Sequence, residues 1–382
     1  MIYLDNSATT KPYPEVIETI TDVLTKHWGN SGAPYEFGDD AKRLINEAIQ
    51  LIADDINCSP EEIIFTSGAC EANTLAIMGT LEAHPHMFLF TSRMEHASIA
   101  ELSKNLSGHP FFFLENDLEG FLFLGHLETQ IRGLACAYNR NFLVSICGAN
   151  SEIGVKQDIK AISKIVHKYG GLLHVDATQL WGEERLDVKA LGIDLMSVSA
   201  QKIHGPKGVG ALYVRNGIRL KPIIYGSQQG GIRAGTLPTH LICGFAKALE
   251  ITRQHNASDR VNSLRNRLLN QLMKISNVHL NGPEIGENRL VNNISLTVKG
   301  VSAESLVTQC GLLDICIAKG SACQSHEPVP SATLKAIDLT DEESLSTIRI
   351  TLDEFNTDIE VDRAAEIITK IIERMRSIGN EN

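Results

Sequence analysis

The middle of the chain alternates short, unbroken apolar runs with segments whose apolar residues recur every three to four positions. EIIFTSG (62–68), FLVSICGAN (142–150), Leu172–Val175 within HKYGGLLHVDATQ, DLMSVSA (194–200) and GALYVR (210–215) read as strands. Asp158–Tyr169 reads as a helix, with Ile159, Ile162, Ile165 and Val166 on one face. A strand that is apolar at nearly every position is covered on both faces. The block therefore predicts an α/β domain with a mostly parallel sheet between two helical layers.

The last third changes character. A long helical region follows Leu237, with Leu264, Leu268, Leu269 and Leu272 in register. A turn at Asn281-Gly282-Pro283 precedes a strand near Asn293–Val298. In TDIEVDRAAEIITKIIERM, Thr357 and Glu360 fit a capping box, and Val361, Ala364, Ile368, Ile371 and Met375 form one stripe. These features predict a smaller α+β domain. The boundary falls near residues 250–260, giving a large domain over 16–255 and a small one built from 1–15 with 256–382.

Composition narrows the function. A chain of 382 residues is long enough for two domains around a cleft. Its net charge of −11 argues against a nucleic-acid surface. No apolar run reaches bilayer length, and MIYLDNSATT lacks a basic region followed by an apolar stretch, so a cytosolic location is expected, with no membrane partner. None of the eight cysteines forms a CxxC pair, so no metal site is indicated.

Ligands of open parallel sheets gather at the carboxyl ends of the strands. The polar residues expected there are Ser67, Gly68, Ala69 and Cys70, then Asn150 and Ser151, then Asp176 and Gln179, then Ser199 and Lys202. A buried carboxylate at Asp176 needs a cationic or hydrogen-bonding partner, either Lys202 or a protonated heterocyclic nitrogen. TSGACEANT (66–74) turns into a helix whose free N–H groups suit a phosphate. GPKGVG (205–210) lacks the spacing of a phosphate loop. Lysine, aspartate and helix N-terminus together are the parts that hold pyridoxal 5′-phosphate.

With those parts assembled, the chain resembles the cysteine desulfurases of the class V aminotransferase superfamily along nearly its whole length. YLDNSATT (3–10), GNSGAPYEFG (29–38), FTSGACEANT (65–74), EHASI (95–99), ANSEIG (149–154), HVDATQ (174–179), SAQKIHGPKG (199–208), GIRAGT (231–236), GSACQS (320–325) and STIRITL (346–352) occur in the family's order. The Gly-Ser-Ala-Cys loop is similar to the branch associated with iron–sulfur assembly and tRNA thiolation. The resemblance implies the type I fold of pyridoxal-phosphate enzymes, with a large domain on a mostly parallel seven-stranded sheet flanked by helices. It also implies a homodimer that moves sulfur from L-cysteine to an acceptor protein.

Residue roles follow from the same resemblance. Lys202 would bind the cofactor covalently, Asp176 would face its ring nitrogen and Gln179 its phenolic oxygen. His96 would stack on the ring and move protons. Ala69, Cys70, Ser199 and Gln201 would surround the phosphate, joined by the partner subunit's Thr236. Ser151 would contact the ring oxygen, Arg349 and Asn150 would bind the substrate, and Cys323 would be the nucleophile that becomes a persulfide.

Several positions depart from the family pattern. Cys70 replaces a phosphate-binding threonine, Ser151 an asparagine and Gln201 a histidine; Gln229-Gly230 replaces Glu-Arg. LDEF (352–355) replaces Leu-Gly-Arg-Phe and brings Asp353 and Glu354 near the expected carboxylate site. These changes leave two further readings beside the desulfurase. One is a selenocysteine lyase, other pyridoxal-phosphate lyase or aminotransferase. The other is a weakly active sulfur-relay scaffold.

Overall fold

A computed structural model of the chain describes residues 1–138, 141–320 and 329–379. The first strand, β1, is Ile2–Tyr3. The next seven are β2 (Ile63–Thr66), β3 (Phe88–Ser92), β4 (Phe111–Leu114), β5 (Phe142–Cys147), β6 (Leu172–Asp176), β7 (Leu195–Ser199) and β8 (Gly210–Val214). They form one sheet in the order β2-β8-β7-β6-β5-β3-β4. From β4 to β7 every pair is parallel, whereas β8 runs antiparallel to both β7 and β2. The link between β7 and β8 is too short for a parallel crossover, so the chain must turn back. As a result the ends of β2, β6 and β7 and the start of β8 share one sheet edge.

Alternate residues of each strand enter different cores. Val144 and Ile146 of β5 pack in one apolar cluster and Leu143 in another; Ala211 and Tyr213 of β8 divide from Leu212 in the same way. The first cluster takes in helices α1 (Pro14–Lys26) and α2 (Glu36–Ile56), and the second takes in α3 (Ala69–Ala83) and α4 (Ala97–Lys104). This two-sided cover is the physical reason the strands are apolar throughout.

Strands β9 (Val278–Leu280), β10 (Asn293–Val298), β12 (Ala318–Lys319) and β13 (Thr347–Thr351) make an antiparallel sheet in the order β12-β13-β10-β9. Between them in sequence, β11 (Ile315–Cys316) pairs with β1 in parallel. A separate apolar cluster joins this sheet to the helices Ser258–Leu272 and Asp358–Gly379. The capping box at Thr357 is present: the Thr357 amide donates to Glu360 Oε2 at 2.9 Å, and the Glu360 amide to Thr357 Oγ1 at 3.2 Å. The apolar stripe of that helix lies in the cluster, with Val361, Ala364 and Ile368 at 0% exposure.

β3 and β4 lie outside the strands expected from the sequence. Their apolar stretches, Phe88–Phe90 and Phe111–Leu114, are four residues or fewer, a length at which a strand cannot be told from a stretch of buried helix. No helix among the described residues is long and apolar enough to cross a membrane. Among them, too, no group of three or more His, Cys, Asp or Glu side chains could hold a metal ion.

Candidate active site

Asp176 closes β6 and is 6% exposed. Its Oδ2 accepts from Asn73 Nδ2 at 2.8 Å and its Oδ1 from the Thr178 amide at 3.0 Å. One strand over, β7 ends at Ser199 and passes into a short helical turn, Ala200–Lys202. Lys202 Nζ donates to the carbonyls of Ser7 at 2.5 Å and Ala8 at 2.6 Å. The hydrogen-bonding partners of Asp176 include an amide and a backbone N–H. Gln179 Nε2 also donates to Ser7 O, at 3.0 Å. The first ten residues thus form a shelf under Lys202. Thr10 fixes that shelf, because its amide and hydroxyl both donate to Gln201 O at 3.0 Å.

The turn after β2 is shaped for close approach. Gly68 has φ +153° and caps α3, which begins at Ala69 and Cys70. A Cβ on Gly210 would come 2.8 Å from Gly68 Cα, so only glycine lets β8 start here. A Cβ on Gly68 would stand 3.9 Å from Ser199 Oγ, which brings that hydroxyl beside the helix N-terminus. Burial pulls the Glu71 carboxyl upward, but Arg233 and the Ser67 amide outweigh it and hold it below its ordinary value. The pair is bidentate, at 2.7 and 3.1 Å.

His96 is the N-cap of α4 and is exposed. Its Nδ1 lies 3.1 Å from the Ser98 amide and 2.8 Å from Ser98 Oγ. Ser98 Oγ in turn accepts from Asn73 Nδ2 at 3.0 Å. Behind this group Glu95 is buried, with Oε1 accepting from Ser92 Oγ at 2.6 Å. Desolvation pushes its carboxyl up to about 8, against the hydrogen bond from Ser92 and helped by the charge of Asp176. His174, at 0% exposure, sits between Ser145 Oγ and Ser197 Oγ, and burial drives it down to about 4.

The second sheet contributes Arg349, in the middle of β13 and 3% exposed. Its Nη2 meets Asp5 Oδ1 at 2.7 Å, its Nη1 reaches Ser151 O at 3.5 Å, and its Nε has no partner among the described residues. Asn150 is fully engaged within the protein. Its Nδ2 donates to Met94 O and Thr333 Oγ1, and its Oδ1 accepts from the amides of Glu152 and Ile153. Desolvation raises the carboxyl of the half-buried Glu152, opposed first by the hydrogen bond from Ser331 Oγ at 2.5 Å and then by the charges of Arg349 and His96.

Thr236 stands exposed on the loop after β8. Among the described contacts it touches none of the other candidate residues. Cys323 lies outside the described residues.

A family model described as aminotransferase class-V matches residues 2–364. The chain belongs to that family. Within the class-V aminotransferases, "Cysteine desulfurase IscS 1" of Archaeoglobus fulgidus is 39% identical over 387 residues, covering 99% of each chain. The solved structure of a "NifS-like protein" aligns with a TM-score of 0.90 at 30% identity over 98% of this chain and 99% of its own. Another, "SspA in complex with cysteine", aligns at 0.80 and 29% identity over 94% and 100%.

Against the family pattern, the unusual positions acquire physical roles. Gln229 serves as an extra rung on the outer edge of β2. Its Oε1 accepts from the Phe65 amide at 2.7 Å, and its Nε2 donates to Phe65 O at 3.0 Å and Arg233 O at 3.1 Å. Asp353 and Glu354 do not face Arg349. Glu354 binds the Tyr13 hydroxyl and His255 Nδ1, the latter at 2.9 Å, and Asp353 Oδ1 accepts the Phe355 amide. Both line a cavity of about 360 Å³ beside Lys202 and Gln179, whose wall does not include Asp176, His96 or Arg349.

Sequence reasoning gave no role to Asn73, Asp5, Ser7 or Glu95. Asn73 had a legible signal, since it is the one amide inside the apolar stretch Ala72–Met78, one helical turn beyond the phosphate turn. Ser7 had none, because it acts through a backbone carbonyl.

Proposed function

We infer that this chain is a pyridoxal-phosphate-dependent cysteine desulfurase that converts L-cysteine to L-alanine and passes the sulfur to Cys323 and then to an acceptor protein. The observation that carries the reading is the juxtaposition of Asp176 and Lys202 at the ends of adjacent parallel strands, beside the N-terminus of α3. The residues fit the cofactor. A Cβ on Gly68 would enter open space, with only Ser199 Oγ within 4 Å, at 3.9 Å. Ser7 Oγ, Thr178 Oγ1 and Arg349 Nε are buried polar atoms with no partner among the described residues. When bound, pyridoxal phosphate supplies an electron sink for charge developing at the substrate Cα.

The chain's own groups supply the rest. Lys202 would hold the cofactor covalently, and its amine would move the Cα proton. Asp176, fixed by Asn73 and Thr178, keeps the ring nitrogen protonated, and Gln179 serves the phenolic oxygen. Ser199, Gln201 and the first turn of α3 at Ala69 and Cys70 hold the phosphate. Cys70 is the weakest of these anchors, because a thiol is a poor donor. His96 covers the ring and handles protons, and Ser151 lies by the ring oxygen. Arg349 binds the substrate carboxylate through its free edge; Asn150 shapes the loop at that end. Cys323 acts as thiolate. A homodimer completes the site through the partner subunit's Thr236, consistent with the exposure of that loop.

The curated relatives are named cysteine desulfurases, and one structural neighbour was solved with cysteine. These matches favour cysteine over selenocysteine or transamination. The retained Lys202, Asp176 and Arg349 speak against a turnover-free scaffold. The deciding experiment is an absorbance spectrum of purified protein before and after L-cysteine, with alanine measured in the same tube. The expected result is a cofactor band that shifts on addition and alanine that accumulates. Lys202→Ala loses the band, and Cys323→Ala keeps the band but loses sulfur delivery. Pyruvate with ammonia, or a keto acid, in place of alanine overturns the reading.

A further inference from the structure

Asn73 joins two groups that the reaction needs at different places. Its side chain is 0% exposed. One amide carries two hydrogens, and both are used: Nδ2 donates to Asp176 Oδ2 at 2.8 Å and to Ser98 Oγ at 3.0 Å. The reverse orientation would set Oδ1 against a carboxylate, so the assignment is forced by charge. It holds even though Asn73 Oδ1 is left buried without a partner among the described residues.

The consequence reaches His96. Because Ser98 Oγ accepts from Asn73, its own hydrogen is free to point at His96 Nδ1, 2.8 Å away. The Ser98 amide points at the same nitrogen from 3.1 Å. With two donors aimed at Nδ1, the proton of the neutral imidazole belongs on Nε2. We propose that Asn73 is a positioning residue that locks the Asp176 carboxylate and, through Ser98 Oγ, steadies the Nε2-protonated His96 that the Ser98 amide selects.

Helical geometry gives the link its place. Ala69 and Asn73 are four residues apart on one face of α3. The helix that offers its N-terminus to the phosphate therefore also fixes the carboxylate and the imidazole. One rigid element sets the spacing of three functions.

The kinetic part of the test rests on the desulfurase reading; the spectroscopic part does not. Nitrogen-15 imidazole spectra of the full-length protein, with His96 assigned by difference against His96→Gln, report the tautomer directly. The parent is expected to show an unprotonated Nδ1. Asn73→Ala and Ser98→Ala are each expected to shift the Nδ1 resonance as the hydroxyl hydrogen bond weakens or is lost, while the Ser98 amide keeps the proton on Nε2. In turnover of L-cysteine, each variant should lose about tenfold in kcat with KM within twofold, and the double variant should be no worse than the poorer single one. If Asn73→Ala fails to fold, Ser98→Ala, at the half-buried end, still decides the matter. An unchanged His96 signal in folded Ser98→Ala, or losses that multiply in the double variant, overturns the proposal. The expected Nδ1 shift with no alanine from any variant or the parent would sink the desulfurase reading and leave this one standing.

Discussion

Asp176 and Arg349 are both nearly buried and both charged, yet the protein treats them in opposite ways. Each oxygen of Asp176 has a donor from within the chain, one on α3 and one on the turn that follows β6. Arg349 has one firm bond, to Asp5, one long contact to Ser151, and an Nε with no partner among the described residues. A carboxylate held at both oxygens by its own fold keeps its place whatever enters or leaves. A buried guanidinium with an unused donor is costly unless an anion meets it. The contrast separates a fixed end of the site, suited to a resident cofactor, from a receptive end, suited to a substrate carboxylate.

The largest test of that contrast is Arg349→Ala. It should lower kcat/KM for L-cysteine by ~100-fold, mainly through KM, because a charge-assisted fork is lost. Arg349→Lys should recover little, since a point charge cannot present two parallel donors. An unchanged KM would erase the distinction between the two ends. Asp176→Asn should act the other way, lowering kcat and cofactor retention while leaving KM for cysteine within about threefold.

A smaller effect lies behind the fixed end. Between its ordinary 4.5 and about 8, the Glu95 carboxyl keeps a proton in the folded chain that the unfolded chain releases. Stability therefore falls as pH rises through that window, by about 1.4 kcal/mol per unit for this one group. Glu95→Gln should flatten the slope in denaturation curves taken from pH 5 to 8; parallel slopes for the two proteins would refute a buried neutral acid. The smallest effect concerns neither end. Gln229→Ala should cost about 1–2 kcal/mol and speed amide exchange at Phe65 without altering KM.

Much of this was legible from the chain. Unbroken apolar runs at 142–147 and 195–198 announced strands covered on both faces, and the polar residues just after them marked the site edge. Asp176, Lys202 and the turn at Gly68 could be found because strand ends are local features of sequence. The surroundings of Lys202 could not. Its carbonyl partners at Ser7 and Ala8 are almost two hundred residues away, and no spacing encodes a backbone acceptor. Asp353 and Glu354 were misplaced for a related reason. Nearness to Arg349 in sequence suggested nearness in space, but β13 ends at Thr351, and the following turn brings Glu354 to Tyr13 and His255 and Asp353 to the Phe355 amide.

The shelf under Lys202 also has a history in time. Residues 2 and 3 pair with β11, Asp5 bridges to Thr351, and Ser7 is held through the Thr351 hydroxyl. A ribosome releases the beginning of the chain long before those partners exist. The opening segment must wait, unplaced, until almost everything else has been synthesised. The two carbonyls that receive the lysine's hydrogen bonds thereby reach their places only after the strand that ends at Thr351 has been made.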